Sequence, residues 1–275
     1  MIPRMSLSFA GLSLDRPLLM GILNVTPDSF SDGGAHADPV AAGMRLAAAG
    51  AAIVDVGGES TRPGAQPVDP IEEQRRVIPV IAALARAGVP VSVDTRNAAT
   101  MRDAIVAGAA IVNDVSGLTH DPASLDVVAA SDASVVLMHM RGTPADMAGR
   151  TEYADVVEDV AAWLEARVAA CEKAGIARHR LAIDPGIGFA KTHAQSLEIL
   201  RRLNRFLAIG LPVVIGASRK GFLKSLGGGE TPADRLAASL AVALHAASAG
   251  AQILRVHDVA DTASALAVAS ALRPE

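Results

Sequence analysis

The sequence predicts an α/β chain folded as one (β/α)8 barrel with a short N-terminal β-hairpin. Three observations predict it. Eight short apolar runs alternate with eight helical patterns along the chain. The 275 residues are close to the length of about 250 that such a barrel takes. No Pro/Gly-rich linker interrupts the alternation, so residues 1–275 read as a single domain. A doubly wound open sheet is the alternative, and it would need more flanking sequence than the chain provides.

The hairpin is expected from Ser6–Phe9 and Leu12–Leu14, separated by Ala10-Gly11, and it would plug one end of the fold. The first buried strand is Leu18–Leu23, which opens into the polar stretch Asn24–Gly34. Asp38-Pro39 starts a helix that runs to Ala49 and stops at Gly50, with proline in the first turn and glycine past the end. The cycle then repeats. Ala52–Val56 is a strand, Asp69-Pro70-Ile71-Glu72 opens a helix ending near Gly88, and Val89–Val93 is the next strand. A helix over Ala98–Ala107 precedes strand Ala110–Val112, and Asp121-Pro122 opens a short helix before strand Ser134–Met138. A long helix, Tyr153–Ala174, leads to strand Leu181–Ile183. Thr192 and Gln195 have capping-box spacing for a helix reaching Ala208. Strand Pro212–Ile215, a helix from Thr231-Pro232 to Ala249, strand Ala251–Leu254 and helix Ala260–Ala271 complete the pattern.

A hydrophobic fraction of 51% with 20% charged residues supplies a large core and argues against disorder. The net charge of −4, with one tyrosine, one tryptophan and five phenylalanines, offers neither the basic stripe nor the stacking surface of a nucleic-acid binder. Cys171 is the only cysteine, so no internal disulfide forms, and its helical neighbours suggest a small buried hydrophobe rather than a nucleophile. Met1–Phe9 lacks a long apolar segment and no uncharged apolar run reaches about 18 residues, which leads us to expect a soluble cytoplasmic protein without a membrane partner.

In a (β/α)8 barrel the chemistry sits at the C-terminal ends of the strands. There the apolar runs end in Asn24, Asp55, Asp94, Asn113 with Asp114, His139, Asp184, Ser218-Arg219-Lys220, and Arg255 with His257. Strand alternation points Arg255 and His257 to one face. Two glycine-containing loops, Gly57–Gly64 and Gly216–Gly221, bring backbone N–H groups and cations within reach of an anion. Arg62, Arg219, Lys220, Arg255 and His257 would make a positive mouth, opposed by Asp94 and Asp184, whose carboxylates suit an amidine-like edge. The site therefore wants a molecule that is a hydrogen-bond donor at one end and polyanionic at the other.

The chain resembles the dihydropteroate synthase family. The matching segments are Leu23–Gly34, Asp55–Gly64, Val93–Thr95, Asn113–Gly117, Leu137–Met140, Asp184–Phe189, Gly216–Lys220 and Arg255–Asp258, in family order. The resemblance implies a TIM barrel that joins a dihydropterin diphosphate to 4-aminobenzoate, releasing diphosphate and forming 7,8-dihydropteroate. It also implies a Mg²⁺ requirement, a homodimer and inhibition by sulfonamides.

Carried over by position, Asp94, Asn113, Met138, Asp184 and Lys220 would hold the pterin. Thr61, Arg255 and His257 would bind the diphosphate, and Asn24 would supply an oxygen to Mg²⁺. Arg62, Pro63, Phe189, Ser218 and Arg219 would border the 4-aminobenzoate. Gly221 stands where several relatives carry serine, and a helix N-terminus would take the place of that hydroxyl. Arg255, His257 and Lys220 are the expected catalytic residues, with Mg²⁺, Arg255 and His257 stabilising the departing diphosphate. Two other pterin-site readings stay open, a methyltransferase of a corrinoid system and a non-catalytic paralogue. A Schiff-base aldolase is disfavoured because Lys220 lies among arginines, without an apolar pocket to lower its pKa.

Overall fold

The computed structural model describes residues 7–26, 38–62 and 64–272. Its centre is a parallel eight-stranded sheet closed on itself. The strands are β3 (Leu18–Asn24), β4 (Ile53–Gly57), β5 (Val91–Asp94), β6 (Ile111–Asp114), β7 (Ser134–Met138), β8 (Leu181–Asp184), β9 (Val214–Ile215) and β10 (Ile253–Val256). Their order is β8-β7-β6-β5-β4-β3-β10-β9. The ring closes where Ile183 pairs with Val213, and the Ile183 N–H donates to the Pro212 carbonyl at 2.9 Å.

Ahead of the barrel, β1 (Ser8–Phe9) and β2 (Leu12–Ser13) form the expected hairpin. Ala10 and Gly11 turn with φ of 50° and 75°, the left-handed geometry that matches the twist of a two-residue hairpin. Phe9 is wholly buried among Leu14, Leu18, Met20, Ile53 and Ile253, so the hairpin does plug the barrel's N-terminal end.

The helices around the sheet are α1 (Pro39–Ala48), α2 (Pro70–Arg86), α3 (Ala98–Val106), α4 (Ser124–Ala129), α5 (Val156–Lys173), α6 (His193–Arg201), α7 (Leu203–Leu207), α8 (Leu236–Ala249) and α9 (Val259–Ala271). Their starts are chemically marked. Asp38 and Asp69 each accept the N–H two residues on at 2.9 Å, and Asp155 accepts from Val157 and Glu158. Thr192 and Gln195 form the capping box that their spacing predicts.

Two helices depart from expectation. The helix over 193–208 breaks at Arg202, whose φ and ψ are −112° and 35°. There the Arg205 N–H falls back to the Arg202 carbonyl, three residues away, while the Arg202 guanidinium is held by Asp155 and Glu158 of α5. The helix expected from Thr231 starts as a 3₁₀ turn at Ala233–Arg235 because Asp234 folds back onto Thr231 and Arg235 reaches back to the carbonyls of Arg219, Gly229 and Glu230.

The strands also run one or two residues beyond the last apolar position. Asp94, Asn113, Asp114, Asp184 and Arg255 are ladder residues, with register partners Gly57, Asp94, Leu137, Met138 and Met20. Functional side chains thus sit on sheet backbone, which holds them more firmly than a loop would.

Period-2 alternation sorts each strand into two populations. Val54, Val56, Val93, Val112, Leu137, Ile183 and Leu254 pack outward against the helices. Ile53, Ile111, Val136, Ala182 and Ile253 fill the barrel's lower interior. Two residues further along the same strands, and so on the same inner face, come Asp55, Asn113, Met138, Asp184 and Arg255.

Candidate active site

Arg255 organises the upper interior. Its Nε donates to Asp55 Oδ2 and its Nη2 to Asp94 Oδ2, each at 2.6 Å, and Asn113 Nδ2 donates to the same Asp55 oxygen at 3.0 Å. Four residues from four strands are thereby joined, three of them expected at the site. Asp55 is the addition. The sequence places it at a strand exit but assigns it no role, and its second oxygen, Oδ1, is buried with no hydrogen-bond partner. Its position two residues after the inward Ile53 was the available signal.

Burial pushes the Asp94 carboxyl up to about 7, with the Arg255 guanidinium opposing that rise. Asp184 is also raised by burial, and its Oδ1 accepts the Gly186 N–H at 2.7 Å. Gly216 lies beside both Asp184 and Arg255: a Cβ there would stand in ordinary contact with them, 3.7 Å from Asp184 Oδ2 and 3.8 Å from Arg255 Cβ. Asp114, adjacent to Asn113, points away from the interior and accepts the N–H groups of Ser116 and Leu118, so it holds the following loop instead.

Lys220 lies at the rim with its Nζ 4.0 Å from the centre of the Phe189 ring, donating to the Ile187 carbonyl. Withdrawal from water lowers its pKa to about 7. The expectation that nothing would depress this lysine is corrected: the structure provides both the aromatic ring and the burial. Phe189 and Met138 belong to one apolar wall with Val115, Met140, Met147 and Ala190.

In the loop after β9, Ser218 touches His257, the serine Oγ lying 3.1 Å from His257 Nδ1 and accepting the His257 backbone N–H at 3.2 Å. Arg219 is paired with Asp258. Residues expected beside the second substrate are therefore tied to those expected beside, or next to, the diphosphate. Burial, then the neighbouring Arg255, pushes His257 down to about 4, so it is neutral at pH 7. The expected positive mouth is weaker than the cation count suggests, because Arg255 and Arg219 are paired and His257 is uncharged.

Asn24 ends β3 beside Gly57, and Thr61 is half-buried in the loop that follows β4. Arg62 is exposed, and the next described residue, Gly64, donates to the Pro144 carbonyl at 2.9 Å, so this loop reaches across to the one after β7. Pro63 and the opening loop from Pro27 to Ala37 lie outside the described residues. The segment after Lys220 is a six-residue 3₁₀ helix, Gly221–Leu226. Among the described residues no group of three or more His, Cys, Asp or Glu side chains could hold a metal. Cys171 is buried in α5 with its thiol pushed up to about 11 by burial, as a structural cysteine would be.

A model of the pterin-binding enzyme family matches residues 20–257. The Escherichia coli K12 dihydropteroate synthase is 46% identical over 276 aligned positions, covering 97% of this chain and 96% of that protein. The chain belongs to the dihydropteroate synthase family. Among solved family members, the Xanthomonas albilineans enzyme with 4-aminobenzoic acid superposes with a TM-score of 0.90 at 50% identity, covering 96% of this chain and 97% of that one. The same organism's enzyme in complex with 7,8-dihydropteroate gives 0.86 at 47% identity, with 96% and 97% covered. Membership in the dihydropteroate synthase family sets aside the corrinoid methyltransferase and aldolase readings. No helix among the described residues is long and apolar enough to cross a membrane.

Proposed function

We propose that this protein is a dihydropteroate synthase, a transferase that condenses (7,8-dihydropterin-6-yl)methyl diphosphate with 4-aminobenzoate to give 7,8-dihydropteroate and diphosphate. The observation that carries the reading is the set of acceptors in the upper barrel. Asp94, Asn113 and Asp184 lie at the C-terminal ends of three strands on the inner face of the barrel, and a pterin presents ring N–H groups and an exocyclic amine to such a set. Met138 lines the apolar side of the ring, and Lys220 donates to the ring carbonyl.

Charge development then dictates the other roles. Loss of diphosphate leaves a cation-like methylene carbon, which the neutral arylamine attacks; the amine's proton is shed to water, so no strong general base is required. Arg255 retains donors beyond the two it gives to Asp55 and Asp94, and together with Thr61 and neutral His257 it takes the diphosphate oxygens. Arg62, Pro63, Phe189, Ser218 and Arg219 border the 4-aminobenzoate, where sulfonamides would compete.

Mg²⁺ would enter with the diphosphate. The amide oxygen of Asn24 is a hard ligand suited to an ion that otherwise keeps phosphate and water oxygens, in place of an all-protein cage. When bound, the ion would offset charge on the leaving group. A homodimer is supported by α8 and α9, which share an apolar groove containing Leu240, Leu244, Val268 and Leu272, with Val268 and Leu272 58% and 77% exposed.

The test follows diphosphate and dihydropteroate together, with Mg²⁺, in the presence and absence of 4-aminobenzoate. Equal yields dependent on both substrates are expected. Binding of the dihydropterin diphosphate without turnover would instead favour a non-catalytic paralogue.

A further inference from the structure

Outside the residues given a role above, Lys191 is a buried lysine engaged on several sides. It lies in the loop between β8 and α6, and its side chain is buried although the chain has left the barrel. Its Nζ meets three acceptors: the Phe189 carbonyl at 2.9 Å, His139 Nδ1 at 3.0 Å and the His139 carbonyl at 3.4 Å. Burial holds the Lys191 pKa well below the ordinary lysine value, and in either protonation state the nitrogen keeps N–H donors for the Phe189 carbonyl and for His139.

Both partners are themselves fixed. The His139 ring packs edge-on against Trp163, with centroids 5.0 Å apart and planes at 88°. Burial holds this histidine at about 2, so it is neutral and can accept at Nδ1. The loop passes so close to His139 that a Cβ on Gly186 would fall 2.0 Å from the His139 carbonyl oxygen, where only glycine fits. Tyr153 donates to the Ala190 carbonyl at 3.0 Å. Lys220 grips the same loop from the site side, through the Ile187 carbonyl and the Phe189 ring.

We infer that Lys191 is a positioning residue for the second substrate: by clamping the Phe189 carbonyl to His139, it sets the height and tilt of the Phe189 ring at the 4-aminobenzoate side of the mouth. The inference rests on the reading of Phe189 as part of the 4-aminobenzoate border. It separates the two lysines of this region. Lys220 faces substrate, whereas Lys191 acts only through the backbone of the loop.

The test is a double-mutant cycle with Lys191→Met and Phe189→Ala, reading KM for each substrate, kcat and the unfolding midpoint. Lys191→Met is expected to raise KM for 4-aminobenzoate about tenfold, the scale of a small misplacement, and to leave KM for the dihydropterin diphosphate within about twofold. Because both changes remove the same ring placement, the double variant should be about as impaired as the worse single variant. Should Lys191→Met not fold, Lys191→Gln, whose amide can keep an N–H on the Phe189 carbonyl, takes its place with a smaller shift in the same KM. An unchanged 4-aminobenzoate KM, equal rises in both KM values, or fully additive effects would overturn the inference. If Phe189→Ala alone leaves that KM unchanged, the placement of Phe189 in the substrate border fails first, and the inference falls with it.

Discussion

The two ends of the barrel are built from the same strands and differ by a shift of two residues. At the lower end Ile53, Ile111, Val136, Ala182 and Ile253 close around Phe9 in a core without charge. At the upper end, Asp55, Asn113, Met138, Asp184 and Arg255 take the same inward direction. The lower layer gains its free energy from area removed from water, which is indifferent to pairing. The upper layer holds carboxylates out of water and is stable because each has a donor: Arg255 for Asp55 and Asp94, Asn113 for Asp55, and the Gly186 N–H for Asp184. One end can be repacked at the expense of stability alone, whereas the other couples stability to chemistry.

Removing Arg255 attacks the upper layer at its centre. Arg255→Ala is expected to lower kcat/KM by at least about a hundredfold and to destabilise the fold by about 3–5 kcal/mol, since Asp55 and Asp94 are left buried without their cation. Deprived of that cation, the Asp94 carboxyl, already raised by burial, rises further, so the stability loss should be greater at pH 8 than at pH 6, where protonation relieves it. Urea unfolding at both pH values, with steady-state kinetics, measures both effects. Near-normal turnover would break the contrast between the two ends.

Phe9→Ala probes the lower layer. Truncating the wholly buried ring is expected to cost about 3 kcal/mol of stability, while KM for both substrates stays within about twofold of the parent. A large change in KM would mean that the plug transmits to the mouth.

A third test uses pH. His139 is held at about 2 and His257 at about 4, in both cases chiefly by burial, against an ordinary value of 6.5. As pH falls below 6.5 the unfolded chain binds protons that the folded chain refuses, so the stability these groups contribute above 6.5 is lost on the way down. The slope is about 1.4 kcal/mol per pH unit for each histidine. His257→Asn should remove one such contribution between pH 6.5 and 4, and an unchanged slope in that variant would show that His257 protonates freely.

The amino-acid sequence already determined the order of strands and helices, the closure into a barrel, the polar strand ends at Asp55, Asn113, Asp184 and Arg255, and the helix starts at Asp38, Asp69 and Thr192. These depend on periodicity and on contacts a few residues long, which composition and spacing record directly. It placed strand ends too early, because polar residues that ordinarily mark a loop are here ladder members. Only the tertiary structure decided that Arg255 would meet Asp55, 200 positions away, that Ser218 would touch His257, and that Lys191 would be buried against His139. Barrel closure brings such pairs together, and exclusion of water around them sets their charge; neither property resides in any local stretch of chain.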